Sequence, residues 1–201
     1  MHRFIESIRI FNGQIENLPW HIERMQKTRR EVFDSEDDSY SERLEDWLKL
    51  PQKFGNDLLK CRVLYAEEIE SVVFQPYQIR PIRSLKVVQN NSINYTYKTE
   101  DRSALTQLFQ QRGTCEDIII VKNDLVTDSY YANLVFDDGK RLLTPRRPLL
   151  KGVKRAKLLE AQVIQEADLR VEDFTQFERV HLVNAMMDLG ECVVEMENIA
   201  L

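Results

Sequence analysis

Apolar and polar residues recur along the chain in patterns that predict both strands and helices. Residues 4–11 read as a strand, and Asn12-Gly13 is a turn signal because both residues tolerate positive φ. A short return strand is expected next, and a helix from about Pro19, a residue suited to the first helical turn. The apolar residues that fall on one face of this helix are Leu18, Ile22, Met25, Val32 and Phe33.

The rest of the first half predicts one more helix, 41–50, which Pro51 ends. Runs of β-branched and aromatic residues then predict strands at 58–65, 72–79 and 85–88. Polar residues from Gln89 to Asn94 indicate a linker. We therefore predict two subdomains, a small N-terminal α/β subdomain over 1–92 and a C-terminal subdomain over 93–201.

The second half mixes strands and helices without a regular βαβ rhythm. A helix is predicted over 101–111, closed by Gly113, and a second over 152–167. The continuous apolar run 118–121 predicts a strand buried on both faces. Further strands are expected at 125–127, 133–136, 141–144, 180–183 and 192–195. These patterns favour an α+β fold.

Composition excludes some classes of function. The 201 residues carry a net charge of −5, which disfavours a broad basic surface for nucleic acid. No apolar run is long enough to span a membrane, and the N-terminus does not resemble a signal peptide. Cys61, Cys115 and Cys192 lie far apart and form no CxxC motif, so we expect reduced thiols, a cytoplasmic protein and no metal site.

Four separated segments carry a resemblance to a known family. They are FIESIRIFNG followed by HIERM, then NYTYKTEDRSAL, DIIIVKNDLVTDSYYANLVFDDGKRLLTP and LLKGVKRAKLLE. Their order and spacing resemble the class IV aminotransferases, which include branched-chain and D-amino-acid aminotransferases and aminodeoxychorismate lyase. The resemblance implies fold-type IV architecture, with pyridoxal 5′-phosphate (PLP) in the cleft between two subdomains.

Two catalytic residues follow from the resemblance. Lys98 matches the lysine that binds PLP as a Schiff base, and Arg102 follows four residues later, as in the lyase-like members. Asp128, in Val126-Thr127-Asp128, matches the family's glutamate that holds the pyridine nitrogen protonated. Asn133 matches the asparagine that follows this acid.

The resemblance also implies residues that bind the cofactor phosphate and ring. Arg24 resembles the arginine of an H-x-x-R motif that begins at His21, and Leu150 is expected against one face of the pyridine ring. Two turns are expected to offer backbone N–H groups to the phosphate. Their residues are Gly152, Val153 and Lys154 in the first turn, and Asn184 and Ala185 in the second.

The chain departs from the family pattern at several positions. Asp128 is one methylene shorter than glutamate, Lys154 replaces a threonine, and Lys151 replaces a proline. The cations in this region form a local basic cluster, which either attracts an anionic substrate or is a solvated surface. They are Arg146, Arg147, Lys151, Lys154, Arg155 and Lys157.

The expected function is a PLP-dependent enzyme acting on a small, amino-acid-like substrate. The KTEDR and ANL sequences look closest to aminodeoxychorismate lyase, which releases pyruvate and leaves 4-aminobenzoate for folate synthesis. A branched-chain or D-amino-acid transaminase is the alternative, since the cofactor residues do not separate the two. A third possibility is a degenerate relative of these enzymes that has no turnover. It is suggested by the short chain and by the departures at Asp128 and Lys154. The resemblance implies a homodimer.

Overall fold

The computed structural model describes residues 2–37, 39–49 and 58–201. Packing divides the chain into two compact units. The first comprises Met1–Ile79 with Tyr97–Asp101, and the second Arg80–Thr96 with Arg102–Leu201. The domain boundary between residues 92 and 93 stays a prediction.

Among its described residues, the first unit has a four-stranded antiparallel sheet with strand order β2-β1-β3-β4 and two helices. The strands are β1 (Phe4–Phe11), β2 (Gln14–Ile15), β3 (Leu59–Tyr65) and β4 (Ile69–Pro76). The helices are α1 (Leu18–Phe33) and α2 (Tyr40–Trp47). Strand β4 begins and ends three residues before the predicted 72–79, because Ile69 already pairs with Tyr65 on β3.

Side chains alternate between core and surface along β3, as a strand with one buried face requires. Met25 of α1 is fully buried in the core of this unit. The other four residues of the predicted apolar face are partly buried and pack against the same core. The helix face read from the sequence is therefore confirmed. Helix α2 ends at Trp47, and the predicted end at Leu50 and Pro51 lies outside the described residues.

Two sheets and two helices form the second unit. One sheet has the order β10-β9-β8-β11-β12 and the other β13-β5-β6-β7. The strands are β5 (Leu85–Gln89), β6 (Asp117–Lys122), β7 (Leu125–Val126), β8 (Asn133–Asp137), β9 (Leu142–Pro145), β10 (Gln165–Ala167), β11 (Arg179–Val183), β12 (Val193–Glu195) and β13 (Ile199–Ala200). The helices are α3 (Ser103–Phe109) and α4 (Val153–Glu160), and short 3-10 turns span Gln110–Arg112, Val171–Gln176 and Met196–Asn198. Strand β6 is buried on both faces, as its apolar run predicted.

The helix predicted over 152–167 is wrong in its second half. Helix α4 ends at Glu160, and Gln162 adopts a left-handed φ of 56°. Val163, expected on the apolar stripe, is 45% exposed, whereas Ile164 is buried. Residues Gln165–Ala167 instead pair in parallel with β9. Sheet pairing therefore overrides the helical periodicity in this segment.

Candidate active site

Asp128 is a buried carboxylate two residues after the end of β7, and its side chain is held by two donors. Asn133 Nδ2 donates to Asp128 Oδ1 at 2.6 Å, and the backbone N–H of Leu150 donates to Oδ2 at 3.0 Å. The backbone carbonyl of Asp128 also accepts the N–H of Ile120 at 2.8 Å. The backbone of Asp128 is thus bonded to β6, and its carboxylate is bonded to the start of β8 and to the segment before α4.

Burial raises the pKa of Asp128 to about 6, although hydrogen bonds from Leu150 and Asn133 oppose the rise. No cation among the residues that the structure describes forms an ion pair with this carboxylate. An ionised carboxylate without a cation is costly to bury. Each of its oxygens can accept a further hydrogen bond. These properties fit a cationic N–H donor such as the protonated pyridine nitrogen of PLP.

Gly152 precedes α4 and lies against the side chain of Asn133, which would have to shift to admit any Cβ at this position. A Cβ at this position would lie 2.0 Å from Oδ1 of Asn133. Asn133 also donates to the backbone carbonyl of Leu150 at 2.9 Å, so one side chain orders both Asp128 and the segment before the helix. Leu150 is half-buried, and its predicted contact with the pyridine ring stays a prediction.

The first turn of α4 has the backbone donors expected of an anion site. Among the described residues no side chain caps the helix, and Val153, Lys154 and Arg155 are buried. The first N–H groups of a helix have no intrahelical acceptor, and the helix dipole favours an anion near them. The segment 152–154 therefore suits the phosphate of PLP.

The second predicted phosphate segment is a tight turn. Asn184 and Met187 exchange backbone hydrogen bonds of 3.2 and 3.1 Å. The Asn184 side chain accepts the N–H of Met186 at 2.7 Å and donates to the carbonyl of Tyr131 at 3.3 Å. Ala185 is half-buried in this turn.

The basic cluster is not one solvated patch. The Lys154 ammonium forms an ion pair with Asp188, and Arg155 binds Glu166 at 2.7 Å. Both cations are 3% exposed, whereas Arg146, Arg147, Lys151 and Lys157 are exposed. Two of the six predicted members are therefore buried and neutralised.

Arg102 and Asp117 order the loop between Asp128 and Asn133. The guanidinium of Arg102 lies 4.5 Å from the ring centroid of Tyr130 and donates to the carbonyl of the same residue. Asp117 is fully buried and accepts the N–H of Tyr130 at 3.3 Å, and burial raises its pKa to about 6. Asp117 was not predicted as a site residue, although an acid that opens an apolar strand is a usable signal.

Lys98 belongs to the first unit, where its segment runs beside the start of β1. Its carbonyl accepts the N–H of Ile5 at 2.9 Å, and Thr99 forms an antiparallel bridge with Phe4. The side chain of Lys98 is half-buried. The backbone that carries this lysine is therefore anchored to the sheet.

Arg24 and His21 both bind Glu6, a residue that the sequence analysis also missed. Arg24 donates two N–H groups to the Glu6 carboxylate, at 2.8 and 2.5 Å, and His21 Nδ1 lies 2.7 Å from it. Glu6 points to the same face of β1 as Phe4 and Ile8, which is the core face. A charged residue at a core-facing position could therefore have identified Glu6 from the sequence. Arg24 as a phosphate ligand stays a prediction, and Glu6 already occupies two of its donors.

Glu6, His21 and Arg24 shift the pKa values of the two titratable members of this group, Glu6 and His21. Burial alone would raise the pKa of Glu6, but Arg24 and His21 together lower it to about 2. The pKa of His21 is lowered by burial, with the charges of Arg24 and Lys98 acting in the same direction and Glu6 opposing them. A neutral His21 donates from Nδ1 to Glu6, which leaves Nε2 without a hydrogen-bond partner among the described residues.

Comparisons with known proteins give consistent results. The model of the family "Amino-transferase class IV" matches residues 3–192. An uncharacterized protein of Haemophilus influenzae is 36% identical over 189 residues, which cover 94% of this chain and all of that protein.

No helix within the described ranges has the length and apolar character needed to cross a membrane.

Three solved structures illustrate the structural likeness. A candidate 4-amino-4-deoxychorismate lyase from Haemophilus somnus 129PT has a TM-score of 0.83 and 31% identity, with 94% of this chain and 98% of that chain covered. A candidate amino-acid aminotransferase from Mesorhizobium loti has a TM-score of 0.80 and 21% identity, covering 96% and 100%. The PLP-bound form of a hypothetical aminotransferase from Mycobacterium tuberculosis has a TM-score of 0.75 and 18% identity, covering 98% and 81%.

Proposed function

The chain belongs to the class IV aminotransferase family of PLP-dependent enzymes, and we propose that it is an aminodeoxychorismate lyase. In this proposal it releases pyruvate from 4-amino-4-deoxychorismate and leaves 4-aminobenzoate, a folate precursor. The observation that carries the proposal is the 31% identity over nearly the whole chain to the Haemophilus somnus candidate lyase. The Lys98–Arg102 segment, which is lyase-like in sequence, supports it.

When bound, PLP accepts the electron pair that remains when a proton leaves the substrate Cα. In our proposal Lys98 would hold the cofactor covalently, and its amine, when free, would move the proton at the substrate Cα. Asp128 keeps the pyridine nitrogen protonated, a role that suits a buried carboxylate held by hydrogen bonds. Asn133 and the Leu150 N–H hold the Asp128 carboxylate in place for this role.

The phosphate would be held mainly by backbone N–H groups and cations. Gly152, Val153 and Lys154 offer the first turn of α4, and Asn184 and Ala185 offer the second turn. Arg24 is proposed as a further cation for the phosphate, with Glu6 orienting its guanidinium. Leu150 is proposed to pack on the ring.

A substrate panel tests the reaction. Purified enzyme loaded with PLP is given 4-amino-4-deoxychorismate, and pyruvate and 4-aminobenzoate are measured. In parallel, branched-chain and D-amino acids are each offered with 2-oxoglutarate, and glutamate formation is measured. Equal amounts of pyruvate and 4-aminobenzoate support the lyase. Glutamate without pyruvate identifies a transaminase, and no product from any substrate indicates a relative without turnover.

We further propose that the enzyme is a cytoplasmic homodimer. The three cysteines are free, which fits a reducing compartment. Burial of Cys61 raises the pKa of its thiol to about 12, so this cysteine is inert rather than catalytic. The dimer is expected from the family resemblance.

A further inference from the structure

Lys154 is a buried cation at an unusual place. It lies in the first turn of α4, where the family pattern has threonine. Its side chain is 4% exposed, and its ammonium is paired with Asp188, whose side chain is 44% exposed. A cation at the N-terminus of a helix opposes the helix dipole, and burial adds a desolvation cost. A cation in this position needs compensating negative charge, and the carboxylate of Asp188 supplies part of it.

Asp188 lies on a fixed turn. It directly follows the hydrogen-bonded pair Asn184–Met187, and its backbone N–H donates to Glu191 at 2.6 Å. The ion pair therefore links the start of α4 to the second predicted phosphate turn. An ammonium has three N–H donors, so Lys154 keeps donors for a second anion while it binds Asp188.

We infer that Lys154 is a cationic ligand of the cofactor phosphate, and that Asp188 is the positioning residue that holds its ammonium between the two turns. This inference rests on the proposed function, because it needs the phosphate of PLP beside the first turn of α4. Lys154 then replaces the lost threonine hydroxyl with a charge. Asp188 offsets part of that charge, so phosphate binds less tightly than it would beside an unpaired lysine.

Comparing PLP with pyridoxal, which lacks the phosphate, isolates this contribution. Both aldehydes react with the same lysine, so the ratio of their dissociation constants on cofactor-free protein reports the phosphate contacts. Lys154→Met should weaken PLP binding on the order of tenfold or more, because a charge-assisted hydrogen bond is lost. Pyridoxal binding should not change.

Asp188→Asn gives the sharper test, because the expected sign is opposite to that of a structural defect. Asparagine keeps an oxygen that accepts from Lys154 but removes the negative charge near the phosphate. PLP should bind several-fold more tightly, on the scale of one screened charge interaction, and pyridoxal should bind as before. Lys157→Met, an exposed lysine on the same helix, is the matched control and should change neither constant.

The outcomes separate the inference from the proposed function. The inference is overturned if Lys154→Met loses affinity for PLP and for pyridoxal equally. It is also overturned if Asp188→Asn does not bind PLP more tightly than wild-type protein. The ion pair would then be a structural contact only. If wild-type protein binds neither aldehyde, the proposed function itself fails. Should Lys154→Met not fold, inorganic phosphate replaces it as the probe. Phosphate should then raise the thermal stability of Asp188→Asn more than that of wild-type protein, and an equal or smaller rise overturns the inference.

Discussion

At the level of single residues, the burial of Asp128 determines the chemistry that its carboxylate can perform. It is 5% exposed and both of its oxygens accept hydrogen bonds, yet burial keeps its pKa at about 6. A carboxylate in this state gains most from a cationic partner, and in our proposal the pyridine nitrogen is that partner. Two predictions follow from its geometry and its pKa.

The first concerns turnover. Asp128→Asn should lower kcat by roughly 100-fold or more, because charge stabilisation at the reacting group is lost, while PLP stays bound through its phosphate contacts. Turnover and the PLP content of the purified variant are both measured, with the exposed Asp124→Asn as control. Near-normal turnover would reject the role. Asp128→Glu should not improve activity if the shorter side chain is matched to a closer backbone.

The second concerns the pH dependence of stability. The pKa of Asp128 is raised in the folded state, so the native protein binds this proton more tightly than the unfolded chain does. The contribution of Asp128 to the free energy of unfolding should therefore fall as pH rises from about 4 to above 6, by up to about 3 kcal/mol at 1.36 kcal/mol per pKa unit. Urea unfolding of cofactor-free protein at several pH values measures it.

Asp117, whose pKa burial also raises to about 6, changes the stability in the same direction over the same pH range. The quantity that reports Asp128 is therefore the difference in unfolding free energy between wild-type protein and Asp128→Asn at each pH. His21 has a pKa lowered by burial, so its contribution to stability rises with pH over part of the same range. Glu6, with its pKa lowered to about 2, contributes stability that is lost only below about pH 4.5. Parallel pH profiles for wild-type protein and variant would show that burial does not raise the Asp128 pKa.

Lys98 carries the third prediction. Incubation with PLP and reduction with borohydride should leave a pyridoxyl label on the peptide that contains Lys98, found by mass spectrometry. Lys98→Arg should remain unlabelled at this peptide. A label confined to another lysine after saturation with PLP would exclude Lys98 as the cofactor lysine.

Site residues could be predicted from the sequence where they belong to a family motif. The residues that bind them through hydrogen bonds or ion pairs could not. Asp128 and Asn133 were read from the sequence, and the structure joins them by a hydrogen bond. Glu6 and Asp188 lie far along the chain from the cations that they bind, at separations of 18 residues from Arg24 and 34 from Lys154. Periodicity and spacing do not report contacts of that kind, which depend on how strands and turns pack.

At the level of elements, α4 shows where local pattern and tertiary context disagree. Its start is set by Gly152, as predicted, but its end is set by the sheet. Gln165–Ala167 pairs with β9, and Glu166 of this strand binds Arg155 of the helix. Helix propensity is a weak prior that such pairing overrides. The strand periodicity of β3 and the buried run of β6 had no such competitor.

Gly152 supplies a prediction at this scale. Gly152→Ala should destabilise the protein by roughly 1–3 kcal/mol, because the added Cβ overlaps the Asn133 side chain. Turnover should fall as well, since Asn133 orders Asp128. The double variant with Asn133→Ser removes the overlap, so the two substitutions should couple favourably in a double-mutant cycle of unfolding free energies. Additive losses would show that Gly152 is not constrained by Asn133.

At the level of the whole molecule, the α+β fold-type IV class predicted from four short segments is confirmed. The family model and the Haemophilus somnus structure together cover nearly the whole chain. Motifs spread along a sequence specify the order of elements and hence a fold. They do not specify the substrate, because substrate contacts lie on loops whose positions depend on packing.

Assembly is the last prediction. We expect a homodimer, because a chain of 201 residues folded as two compact units has a limited core in each. A two-fold interface would bury further apolar surface, and Phe11, Trp47 and Val73 leave large side chains 42–48% exposed in the first unit. It would also help to exclude water from the reacting site. Light scattering over a range of concentrations, with turnover measured on the same samples, checks this. Specific activity should fall as the protein dissociates on dilution, and a monomer with full specific activity at every concentration would refute the prediction.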